Sequence, residues 1–243
     1  MYNIRLDENK YYTGTYVSVG KVGGGIDIPT LPPDMEKSKF YKYDYHEVFI
    51  TNLVADIDEM TGEQKIDAEN NLLYIEEIVP IIELGWIFDE VKYNESLVLQ
   101  LEIVKKNKTK ELGLICEKNI TDGTSIETTN GLEHFSFTDA DQRDIKNAYD
   151  IAKITQISTL YHADNTPCRI FTVAEISSIY IYMQQLIAYN TTLCNMLNTW
   201  VRRCTTEDEI NAISYTSSLP EDLQLTMDQN LAQAALVMNA LIG

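Results

Sequence analysis

Three histidines, His46, His134 and His162, and four cysteines, Cys116, Cys168, Cys194 and Cys204, are the residues of this chain best suited to nucleophilic or metal chemistry. Their spacing does not assemble either. No pair of histidines has the HExxH spacing of a helical zinc site, no CxxC occurs, and no GxSxG presents a serine nucleophile. Cys168 lies near His162, but their loop, YHADNTPCR, offers neither an orienting group nor an oxyanion donor. His162 and Asp164 are expected to satisfy loop backbone groups instead. Val22 to Gly25 lacks the glycine spacing and the Lys-Ser/Thr end of a phosphate cradle, and DIDEMTGEQKID, from Asp56, places its oxygens and glycine out of step with a calcium loop. The expectation is therefore no catalytic residue, no cofactor and no metal.

The most periodic element in the chain is Val173 to Cys204. Ile176, Ile179, Met183, Leu186, Asn190, Leu193, Leu197, Trp200 and Cys204 recur at steps of three and four, and Tyr180, Ile187, Cys194 and Val201 run beside them. So wide an apolar face predicts one long helix covered by others. Thr172 with Glu175 predicts a capping box at its start, and Arg202 and Arg203 suit the negative end of its dipole. Asn190, the one polar residue on the seam, either fixes register or oligomer state or is simply tolerated.

The remainder reads as α+β: a β-rich region over residues 1–88, a linker helix over 89–111, and a mainly helical domain over 112–243 that opens with a small β-meander. Tyr2, Ile4 and Leu6 alternate ahead of a DENK turn and the run Tyr11 to Val19, which predicts a hairpin. IDIPTLPPD, with three prolines, cannot be a central strand and reads as an extended arm. Its Ile26, Ile28, Leu31, Pro32 and Pro33 either lie across their own domain or dock into a neighbour. Deleting residues 26–33 is expected to leave the fold intact. Tyr41, Tyr43 and Tyr45 give the next strand an aromatic face, either half-buried in a sheet or available to a partner. Val91, Asn94, Leu97, Val98, Leu101 and Val104 mark the linker helix, with KKNKTK as its basic end. LGLICEKNI, TSIETT and LEHFSF are the expected strands of the meander. Thr138, Thr206 with Glu209, and Pro220 announce three further helix starts.

With 37 acidic against 19 basic residues the formal charge is −18, which disfavours nucleic acid and anionic membranes as partners. No apolar run approaches the roughly 20 residues of a membrane span, and MYNIRLDENK lacks the core of a signal peptide. Synthesis and folding in the cytoplasm, with reduced thiols, is the expectation.

The run GLEHFSFTDADQ (131–142), then YHADNTPCR (161–169), TVAEI, TTLCNMLNTWV (191–201), TEDEINAISY and LPEDL, in that order, resembles a domain of unknown function found in tail- and baseplate-associated proteins of phages of Gram-positive bacteria. Asn165 stands where that pattern would have glycine. The resemblance covers about the C-terminal half, and the N-terminal part is more loosely similar to the attachment regions of such proteins. It implies a structural part of a contractile phage tail or tail-like bacteriocin, at the baseplate periphery, linking the baseplate to a receptor-binding fibre or forming part of one. Other tail and baseplate proteins, a receptor-binding protein or fibre, and further copies of the chain are the implied partners, with dimers or trimers formed through the helix at 90–110. The alternative is a cytoplasmic fibre-assembly chaperone, absent from the mature particle. A cell-wall hydrolase would need paired carboxylates in a cleft, which the sequence does not show.

Overall fold

In the computed structural model, which describes residues 1–242, the chain is α+β and divides into two compact units, residues 1–98 and 99–243. The first contains β1 (Tyr2–Leu6), β2 (Tyr12–Val17), β3 (Ile26–Ile28), β4 (Tyr41–Ala55), β5 (Tyr74–Phe88) and the opening turns of α1 (Glu90–Thr121). The predicted hairpin is β1–β2. Its turn is held by Asp7, whose carboxylate accepts from the amides of Asn9 and Tyr11. β3 joins the other edge of β1, so the sheet order is β2-β1-β3.

The proline-rich segment thus lies on its own domain. Ile28 is buried with Ile4, Tyr12 and Tyr43, Leu31 packs against the same cluster, and the Trp86 indole donates to the Thr30 carbonyl at 2.9 Å. Burying an isoleucine in this way stabilises by about 2–3 kcal/mol. Deletion of residues 26–33 would therefore remove part of a core, contrary to the expectation of an intact fold. The prolines fit because β3 is an edge strand and they follow it, where no ladder donor is needed.

The second unit is organised on α3 (Val173–Arg203), which starts at the predicted Thr172–Glu175 capping box and ends at Cys204. Before it come β6 (Thr124–Thr128), β7 (Gly131–Phe135), α2 (Asp139–Thr155), β8 (Thr159–Tyr161) and β9 (Arg169–Phe171); after it come α4 (Glu207–Asn211) and α5 (Glu221–Ile242). The upper half of the seam, with Ile176, Ile179 and Met183, packs with Ile145 and Ala152 of α2 and Phe135 and Phe171 of the hairpins. The lower half, with Leu193, Leu197 and Val201, packs with Leu112 of α1, Ile210, Ile213 and Met227. Asn190 falls between the two clusters. Its side-chain amide donates to the Leu186 carbonyl at 2.9 Å and its side-chain oxygen accepts from Tyr215 at 3.0 Å, so its polar groups are satisfied within the unit.

α1 runs to Thr121, ten residues past the predicted boundary at 111. LGLICEKNI is helix rather than the first strand of a meander, and β6–β7 is a simple hairpin. KKNKTK misled because lysines interrupt the apolar stripe. Lys105 and Lys108 nevertheless have side chains only 16% and 12% exposed, with ammonium groups held by Glu102 and Glu111. Their stems continue the buried line from Leu101 and Val104 to Leu112 and Cys116.

Glu175 closes the β6–β7 turn onto the start of α3. Its carboxylate accepts from the amides and hydroxyls of Thr172 and Thr129 at 2.8–3.1 Å and faces Arg169 at 3.2 Å, while Arg169 also pairs with Glu133. Burial pushes this carboxyl up, but the threonine donors outweigh it and hold it at about 2. A carboxyl depressed in the fold stabilises above its ordinary value near 4.5 and loses that contribution as pH falls towards 2. Glu175→Gln is expected to cost about 2–3 kcal/mol at pH 7 and to flatten the decline in thermal stability between pH 5 and pH 2.5, as followed by circular dichroism. A variant with unchanged pH dependence would show that this carboxylate is not the acid-sensitive latch.

Candidate interaction surface

Two of the three histidines and Asp164 meet hydrogen-bond partners in the loops of the second unit. Asp164 accepts from His134 Nδ1 at 2.9 Å and from both the amide and hydroxyl of Ser136, at 2.9 and 3.0 Å. The three residue types of a hydrolytic triad therefore meet, but the serine hydroxyl bonds to carboxylates, Asp164 and Asp141. Serine and histidine do not bond to each other, so the arrangement is not that of a serine–histidine–aspartate triad. His162 Nδ1 lies 3.1 Å from the Ala163 carbonyl, and Cys168 is exposed. Asn165 adopts φ +57°, the left-handed conformation that glycine would take at this turn and that asparagine tolerates.

The acidic stretch after Asp56 is a loop closed by its own carboxylates. Asp58 accepts from the amides of Met60 and Thr61, Asp67 from those of Glu69 and Asn71, and Asp56 pairs with Lys65 at 2.8 Å. These oxygens are committed to turn geometry. Among the described residues, no group of three histidine, cysteine or acidic side chains is placed to hold a metal, and no helix is long and apolar enough to cross a membrane.

An open cleft of about 820 Å³ in the first unit is lined by charged residues that are matched locally. Lys10 and Lys42 both reach Asp44, at 2.7 and 3.0 Å, and hold its carboxyl well below the usual range; Lys92 lies over the Tyr11 ring, whose hydroxyl donates to Asp89. Little charge is left for a ligand.

The feature without internal explanation is the hairpin β4–β5. It pairs in unbroken register over 15 residues per strand, from Tyr41 opposite Phe88 to Ala55 opposite Tyr74, a length of about 50 Å. At its base, Tyr43 is buried against Trp86, with ring centroids 4.9 Å apart, and Tyr41 packs on Phe88. Side chains two apart share a face, so this core-facing side continues outwards as Tyr45 and Leu84, Ile82 opposite Glu47, Phe49 and Pro80, Ile78 opposite Thr51, Leu53 opposite Glu76, and finally Tyr74. There nothing in the unit covers it. Tyr45, Phe49, Leu53, Ile78 and Ile82 are all 67–69% exposed. An isolated two-stranded ribbon is marginal in water, and an exposed band of this size, apolar except for Glu47, Thr51 and Glu76, marks an interaction site.

Of the residues expected to contact a partner, Tyr45 and Ile26 are exposed, as is Pro33; Tyr41 and Leu31 are half-buried, and Ile28, Pro32 and Tyr43 are buried in the first unit. The outer ribbon was missed because β5 does not alternate. YIEEIVPIIELGWIF carries apolar residues on both faces, and Pro80 argues against a strand unless both strands are edges, which they are. The pairing of Tyr-x-Tyr-x-Tyr with a second apolar run some 30 residues on was the available signal.

No protein-family model, curated protein or solved structure matches the chain. The family resemblance rests on the sequence motifs alone.

Proposed function

We propose that this chain is a structural component of a contractile phage or phage-tail-like particle, at the baseplate periphery, where it links the baseplate to a receptor-binding fibre or forms part of one. The observation that carries the reading is the uncovered apolar face of the β4–β5 ribbon, which gives an assembly subunit its contact area without a further domain. The motif order in the C-terminal half supports the choice of particle. The chain is read as non-catalytic, because the groups that meet at Asp164 lack a serine–histidine contact. Copies associate through α1, where Leu99, Ile103 and Leu114 are half to two-thirds exposed at spacings that keep one helix face.

Immunogold electron microscopy of particles purified from an induced culture tests the assignment. Label at one end of a tail is the expected result. Unlabelled particles, with the chain abundant in the soluble fraction, would overturn it in favour of an assembly chaperone that uses the same ribbon and leaves before maturation.

A further inference from the structure

The β4–β5 ribbon combines its apolar face with an unusual charge. Between Tyr45 and Leu84 there are ten acidic residues and one basic residue, Lys65, a formal −9 that makes up half of the chain's −18 in a sixth of its length. Most of the acids lie beyond the strands, in the loop from Asp56 to Leu73, where Asp56 is already paired with Lys65 and Asp58 and Asp67 hold turns. Glu59, Glu63 and Glu69 offer their carboxylates to solvent there. The ribbon therefore has a largely apolar shaft, with Glu47 and Glu76 on its outer face, and an acidic tip.

We infer that this ribbon docks into a different protein, along an apolar groove that ends in a cluster of lysines and arginines. Eight apolar residues of the outer face, at on the order of 100 Å² each, present about 800 Å², close to the ~800 Å² per partner of a standard interface. A second copy of the chain is a poor occupant for two reasons. Parallel packing superposes two acidic tips, and antiparallel packing brings each tip to the other's ribbon base, where Lys10 and Lys42 are already paired with Asp44 and the same cleft sets Glu8, Asp89 and Glu95 beside Lys92. Edge pairing is blunted as well. Pro80 removes a donor from β5, and the exposed side chains of the face offer the larger contact area. The charged tip steers the encounter and sets orientation, while the shaft supplies the lasting contact.

The test places a photo-crosslinking benzoylphenylalanine at Phe49 in the full chain, expressed in its producing cells, and compares it with the same chain carrying Glu59→Gln, Glu63→Gln and Glu69→Gln. The expected result is an adduct with one other protein, whose crosslinked segment is apolar beside lysine or arginine, and a roughly tenfold lower yield with the neutralised tip. Glu207→Gln, in α4, is the charge control and leaves the yield unchanged. An adduct between two copies of the chain, a yield indifferent to the tip charges, or no adduct at all would overturn the inference. It rests on the particle reading only in requiring an assembled partner. Tail-end label with a copy-to-copy adduct sinks this inference alone, whereas a charge-dependent hetero-adduct without label sinks the tail assignment alone.

Discussion

Leu197→Asp is expected to abolish the cooperative unfolding of the helical unit. Leu197 is fully buried on α3, in the cluster that includes Leu112, Val201, Ile210 and Met227. Removing its branched side chain alone costs about 3–5 kcal/mol, and placing an uncompensated carboxylate there adds several more. Against a typical total of about 5–15 kcal/mol, the unit should be unfolded or molten at 25 °C. Circular dichroism melts and dye binding to exposed apolar surface would register the change. Leu197→Ala, a milder probe of the same site, should lower the midpoint while keeping a single transition. An unaltered melt for Leu197→Asp would mean that the lower half of the α3 seam is not a core.

Glycine-to-alanine substitutions at two positions should have opposite signs. Gly123 joins α1 to β6 at φ +70°, and a Cβ there would stand 1.8 Å from the Phe135 carbonyl oxygen. The left-handed conformation costs a non-glycine residue about 1–2 kcal/mol, and the clash is with backbone that is itself tied down by the Phe137 amide on the Thr121 carbonyl. Gly123→Ala should destabilise by more than about 3 kcal/mol. Gly113, inside α1, has open space around its Cβ position, so Gly113→Ala should stabilise by about 0.5–1 kcal/mol. Denaturant titrations that place both variants on the same side of the parent would contradict the continuous helix from Glu90 to Thr121.

Those two glycines also mark how far local sequence signals reach. α3, its capping box and its buried face were legible because a wide stripe at steps of three and four has only one common realisation, and because Thr172 and Glu175 are matched by chemistry as well as spacing. The continuation of α1 was not, since Lys105 and Lys108 are largely buried with their ammonium groups paired to Glu102 and Glu111, which a residue-level polarity reading scores as a break. The arm was open to two readings because burial of Ile28 depends on β1 being free to accept it, a long-range fact. The candidate site was the least legible part. Tyr45 was in view, but Phe49, Ile78 and Ile82 acquire meaning only when β4 and β5 pair in one register.

The same register constrains how the ribbon's reach can change. Side chains alternate between faces at every residue, so extending β4 and β5 by two residues each carries the apolar face through and adds about 7 Å. Extending each by one turns every side chain beyond the insertion to the opposite side and ends the stripe at that point. A chain built on this plan therefore adjusts the spacing between its base and its tip in steps of about 7 Å, like a ruler graduated in residue pairs.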